Sequence, residues 1–230
     1  MLAIRAIAEE LMDASDLDAA TYAAVVHDLA RVNTLTLARR PTLNFLGEIR
    51  RRNPPKLLRI LDVGFGDGDM LRAIARWARR VGQPVELVGI DLNPRSALAA
   101  HEATPADVAI DYQTGDYATL AGKKWDVVIS SLVAHHMTHR QLVDFIRFMD
   151  HEASAGWFIN DLHRHGFAYR GFPLLATIMR WHRIVRHDGQ LSIARSYRPA
   201  EWQPVLAEAG IEDAQVTRVF PFRLCVANIR

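Results

Sequence analysis

The stretch Leu61-Asp62-Val63-Gly64-Phe65-Gly66-Asp67-Gly68-Asp69 carries a short apolar segment, Arg59–Val63, through three glycines into a helical pattern over Asp69–Val81. Glycines between a strand and a helix allow a tight turn and let a ligand approach backbone that a Cβ would screen. The spacing is Gly-x-Gly-x-Gly, and Asp69 stands where a dinucleotide fingerprint wants its third glycine. Asp62, Asp67 and Asp69 would repel a pyrophosphate and attract a ligand that carries positive charge. At the end of the next apolar run, Val85–Asp91, stands Asp91, roughly 20 residues past the glycines, where a carboxylate can accept both hydroxyls of a ribose.

Outward from this turn, short apolar runs alternate with helical patterns. Strands are predicted at Val85–Asp91, Val108–Thr114, Trp125–Ser131 and Trp157–Asp161, with helices at Pro94–Glu102 and Gln141–His151 between them. A helix at Pro199–Ala209 follows, then an antiparallel pair, Ala214–Phe220 and Phe222–Asn228, pivoting at Pro221. The order predicts an α/β fold: a doubly wound, mostly parallel seven-stranded sheet with an antiparallel C-terminal strand. Residues 1–55 show helical spacing and read as an N-terminal cap to a domain spanning 56–230. Residues 163–196 interrupt the alternation with arginine, histidine and aromatic residues, Pro173 and a turn at His187-Asp188-Gly189, and read as a lid insert.

Composition excludes several classes. The 230 residues are 50% hydrophobic and 23% charged, with a net charge of +2 and one cysteine. One cysteine allows no intramolecular disulfide and no cysteine-built metal cage. No stretch approaches the ~20 apolar residues of a membrane span. Acids interrupt the apolar N-terminal run, so a signal peptide is not expected and the expected location is cytoplasmic. Basic stretches at Arg31–Arg59 and Arg164–Arg198 suit a solvated helix face as well as an anionic partner.

The glycine motif Asp62–Asp69, Asp91, the pair Gly115-Asp116 and the run Trp125–Met137, taken in order, resemble the class I, Rossmann-like methyltransferases that use S-adenosyl-L-methionine. The resemblance covers roughly residues 57–162, and its His135-His136-Met137 end is similar to small-molecule enzymes of the quinone and phenol type. It implies that Gly64, Gly66 and Gly68 wrap the methionine moiety while Asp62 receives its ammonium. Asp91 would hold the ribose and Leu92 pack on the adenine. Asp116 would accept from the adenine amino group with Tyr117 beside it, and Ser131 and Leu132 would floor the sulfonium. Phe65 departs from the class, which prefers a small residue or cysteine there; its side chain is expected to point into the sheet.

A phenol is only about a thousandth ionised at neutral pH, so transfer to its oxygen calls for a base, and histidine suits. His136 is the first candidate, then His135, His163 and Asp161, with Asn160 beside them. One of the paired histidines is equally suited to capping the next helix or packing beneath the cofactor. Magnesium-dependent catechol methyltransferases place an acid after the fourth strand, where this chain has Ser130-Ser131, so no metal is expected. The expected acceptor is a small molecule methylated on a phenolic or enolic oxygen in specialised or quinone-like metabolism. Carbon methylation, an RNA or protein acceptor, and a non-catalytic cofactor-binding protein are the alternatives. No nucleic-acid-binding module is visible, and a homodimer is left open.

Overall fold

The structure, a computed structural model, describes residues 2–14 and 16–230. Its central strand is β1 (Leu58–Val63), apolar and buried along nearly its whole length, as a parallel strand covered on both faces requires. The sheet has seven strands in the order β3-β2-β1-β4-β5-β7-β6. β2 (Val85–Asp91), β3 (Asp111–Thr114), β4 (Trp125–Ser131) and β5 (Ala153–Leu162) run parallel with β1. β7 (Arg223–Ile229) runs antiparallel between β5 and β6 (Gln215–Val219). The doubly wound sheet predicted from the alternation is therefore the one formed. The chain winds outward from β1 to β3 and returns to β4 on the other side of β1. Strand order reverses between β1 and β4, where open α/β sheets bind ligands.

Two apolar layers hold the helices to the sheet, and β5 feeds both by alternation. Trp157 enters the layer under α5 (His139–Glu152) and α8 (Pro199–Ala209), with Phe145, Ile146 and Trp202. Phe158 enters the opposite layer and stacks on Phe45 of α2 (Arg40–Arg52) at 4.8 Å. α3 (Asp69–Val81) and α4 (Pro94–Ala103) complete that side, where Phe65 points inward against Tyr112. α5 begins two residues before the predicted Gln141, because Gln141 is spent as the capping-box partner of Thr138.

The regions expected as cap and insert are divided differently. α1 (Ala19–Leu35) packs with two helices of the insert, α6 (Gly166–Ile178) and α7 (Arg183–Arg195), through Val25, Val32, Trp181, Ile184 and Val185. α2, by contrast, lies on the sheet. Residues 2–10 form no helix; Ala6 N–H donates to the Ala194 carbonyl, and a single 3₁₀ turn at Leu11–Asp13 is tied by the Leu11 and Met12 amides to Asp188. The turn predicted at His187-Asp188-Gly189 lies inside α7. Gly189 is there for packing: a Cβ would sit 2.2 Å from the Phe172 ring of α6. Among the described residues no helix is long and apolar enough to cross a membrane.

Asn160, at the end of β5, is fully buried, and its amide donates to the Ala38 carbonyl and to Thr42 Oγ1. It pins the α1–α2 connection to the sheet. Asn160→Leu removes the donor but leaves a buried carbonyl unpaired, so we expect a loss of ~1–3 kcal/mol. Urea unfolding at unchanged slope is the measurement; a loss below about 0.5 kcal/mol would show that water replaces the pin.

Candidate active site

The glycine turn builds one half of a cavity. Gly64 has φ 78°, and a Cβ there would lie 2.3 Å from Val133. Gly66 has φ 58°, with nothing within 4 Å of its would-be Cβ, and its N–H donates to Asp91 Oδ2 at 2.9 Å. Asp91 Oδ1 accepts from Asn93 N–H, so this carboxylate ties the two strand-end turns together while facing the cavity. Asn93, rather than Asp91, caps α4. Asp62 is buried beneath the turn, its Oδ1 without a hydrogen-bond partner. Burial pushes its carboxyl well above the ordinary range, and Asp69 and Asp91 add to the rise. An orphaned acid under an open glycine cradle fits a ligand with a cationic group.

Leu92, Tyr117, Ser131 and Leu132 line the same cavity. Leu92 is exposed, and Tyr117 is held by Phe145 and Phe148 at 5.0 and 4.7 Å. Leu132 has φ 62°, a left-handed conformation that costs a branched residue energy and is held by its N–H on the Asn160 carbonyl. Asp116 is exposed and does not line the cavity; it caps the 3₁₀ turn Tyr117–Leu120 through the Ala118 amide, while its neighbours Gly115 and Tyr117 form the wall.

The histidines part company here. His135, 2% exposed, has Nδ1 at 2.7 Å from Asp161 Oδ1, and its own amide donates to Asp161 Oδ2. Its Nε2 faces Glu10 Oε1 at 3.6 Å. Burial works against the charged ring, but the two carboxylates prevail and push its pKa up to about 9. Asp161 in turn stays below the ordinary range: burial opposes this, and His135 and the two amides outweigh it. His136 is 30% exposed, lines the cavity and has Nε2 at 3.7 Å from Glu10 Oε1. The two rings lie 4.3 Å apart.

Glu10 is the residue the sequence reading missed. It is buried, accepts from Ser192 Oγ at 2.7 Å and lies 3.7 Å from Arg195. Its carboxyl lies below the usual range: burial raises it, and His135, His136 and Ser192 outweigh burial. Arg223, also unforeseen, is buried and lines the cavity with its Nη1 unpartnered. Four expected residues do not line the cavity: Asp116, Gly68, whose would-be Cβ would sit 2.3 Å from the Tyr112 hydroxyl, Asp161 and His163. Asp161 lies behind His135 and does not line the cavity, so it positions rather than reacts. His163 is turned away, because Leu162 takes the inward side of the chain as β5 ends and the His163 amide bonds back to Phe222.

Glu10, His135 and His136 are the one group among the described residues whose donors cluster as a metal would need, within 4.8 Å. His135 is already paired with Asp161 through Nδ1, and the Arg195 guanidinium lies 3.7 Å from Glu10. The cavity measures about 780 Å³ and is walled on the far side by Val25, Leu29, Phe172, Leu175, Val185 and Ile193. That is within the ~300–1,000 Å³ of small-ligand sites.

Comparison with known proteins agrees with this geometry. Residues 60–151 match the family described as a methyltransferase domain. A ubiquinone biosynthesis O-methyltransferase of Azorhizobium caulinodans is 34% identical over 97 residues, 41% of this chain and 36% of that protein. One from Rhizobium etli is 27% identical over 184 residues, 77% and 69% of the two chains. Thus the chain spans about a third of the first relative's length. Among solved structures, the plantazolicin methyltransferase in complex with SAH superposes with a TM-score of 0.68 at 15% identity, covering 94% of this chain and 91% of that one. The magnesium protoporphyrin IX methyltransferase of Synechocystis with bound SAH gives 0.57 at 17% identity, covering 94% and 90%. At these identities the structures establish a shared fold.

The His135 clamp makes a pH prediction. Its pKa is raised on folding, from 6.5 to about 9, so the stabilisation is complete below 6.5 and is lost as pH rises through 9. The parent's melting temperature should fall across that window, whereas His135→Gln should start lower and lack that fall. Parallel profiles for the two proteins would show that His135 is not held as a cation.

Proposed function

We propose that this chain, whose residues 60–151 match a methyltransferase domain, is a class I, Rossmann-like S-adenosyl-L-methionine-dependent enzyme methylating a small molecule on a phenolic or enolic oxygen. The observation that carries the reading is His136, open to the cavity and backed by the buried Glu10. S-adenosyl-L-methionine supplies a methyl group already activated on a sulfonium. Asp62 and the glycine turn would hold its methionine end, Asp91 its ribose, and Leu92 and Tyr117 its adenine. What is left to the chain is alignment and removal of one proton.

His135 is unsuited to take that proton, since it already carries one between two carboxylates. His136 faces the acceptor space, and Glu10 on its Nε2 side stabilises the imidazolium that forms. Ser192 and Arg195 keep Glu10 in place. The apolar far wall suits an aromatic or conjugated acceptor and keeps water from the reacting oxygen. Both curated relatives are named for O-methylation in ubiquinone biosynthesis, which supports oxygen as the atom and a quinone-like ring as the acceptor type. No divalent ion is needed in this scheme, because a charged histidine and an arginine already satisfy Glu10.

Two measurements test it. Asp91→Ala should bind S-adenosyl-L-methionine ten- to a hundredfold more weakly by calorimetry, from losing bonds worth ~1.5–3 kcal/mol. Unchanged affinity in folded protein would remove Asp91 from the site. In a screen of phenols and enolic acids with labelled cofactor and excess chelator, the parent should turn over an acceptor. His136→Ala should be slower by ~10²-fold or more at unchanged cofactor affinity. Parent-like turnover in that variant, or loss of parent activity to the chelator, would refute the mechanism.

A further inference from the structure

Arg223, the first residue of β7, enters the cavity wall from the sheet. It is 4% exposed. Among the described residues its guanidinium makes one hydrogen bond, from Nη2 to Asn33 Oδ1 at 3.3 Å, and Nη1 has no partner. A guanidinium offers five N–H donors and cannot shed its charge, so so sparse a set of partners is unusual for a buried arginine.

The carboxylates nearest in electrostatic effect are already engaged. Asp161 accepts from the His135 ring and from the amides of His135 and Leu162. Asp69 pairs with Arg39 at 2.8 Å and accepts from Asn33 Nδ2. Asn33 is thereby locked in orientation, its amide nitrogen toward Asp69 and its oxygen toward Arg223. Burial lowers the Arg223 pKa, and the partial compensation comes from Asp161, Cys225 and Asp69. A cation held at this expense on the wall of a ligand cavity marks a place where the ligand supplies the countercharge.

We propose that Arg223, oriented by Asn33, is the receiving site for a ligand carboxylate in this cavity. Resting on the methyltransferase reading, two sources present that group: the α-carboxylate at the methionine end of the cofactor, and an acid group on the acceptor. The fork geometry of arginine suits either, with two parallel N–H donors to the two oxygens.

Calorimetry on the full chain separates them. The first arm compares S-adenosylhomocysteine with its decarboxylated analogue. The second titrates hydroxynaphthoate and its methyl ester into protein saturated with S-adenosylhomocysteine. A preference for the acid of about tenfold or more in one arm, erased by Arg223→Gln, identifies that arm's source. A purely structural arginine would shift both members of a pair together and leave the ratio alone. Arg223→Lys, which keeps the charge without the fork, should retain part of the preference and serves if the glutamine variant fails to fold. No acid preference in either arm, or a preference untouched by any folded variant, overturns the proposal. Failure of the parent to bind S-adenosylhomocysteine would instead sink the cofactor reading, and the acid–ester ratio in the ligand-free protein would then decide on Arg223.

Discussion

Asp161 is a fully buried carboxylate, and the site is arranged around keeping it paired. It accepts three kinds of donor: the His135 ring, the His135 amide and the amide of Leu162. Removing such a group from water is costly, and only good geometry and full hydrogen bonding offset that cost. Satisfying Asp161 fixes the 3₁₀ turn after β4 against the end of β5. That turn sets the direction of His136. The second side of the clamped imidazolium then demands an anion, which Glu10 supplies. One charge at the sheet edge therefore dictates where two histidines and a glutamate lie.

Much of the fold was legible because local and tertiary preferences agree in the central layer. β2, β4, α3 and α8 stand where the runs at Val85, Trp125, Asp69 and Pro199 predicted, each bounded by its own turn or cap. The departures have identifiable causes. Gly189 reads as a turn residue in isolation, yet it is in α7 because Phe172 needs the space a side chain would fill. β5 starts four residues early, as Ala153 pairs with Trp125 across a register shift that no apolar pattern announces. Arg5 and Ala6 are held by bonds to the end of α7 and to Tyr197, contacts some 190 residues distant that leave no periodic trace.

The site divides along the same line. The half built by the glycine turn comes from residues 62–132, close in sequence, where a glycine's backbone freedom or an acid at a strand end is legible locally. The rest of the cavity and its polar backing come from Glu10, His136, Ser192, Arg195 and Arg223, spread over nearly the whole chain. Glu10 looked like any acid interrupting an amphipathic run, and nothing nearby marked it for burial.

This division follows the reach of the family match. The matched region, residues 60–151, contains the turn, Asp91 and His136, but not Glu10, Arg195, Arg223 or the α6–α7 pair. The residues outside it lie on an extended N-terminal segment, two inserted helices and a C-terminal hairpin. α1, α6 and α7 share an apolar cluster around Val25 and Trp181 that is separate from the two layers on the sheet, whereas β7 is built into both layers. A wall with its own packing, set over a sheet with its own core, can vary its side chains while the glycine turn keeps its backbone.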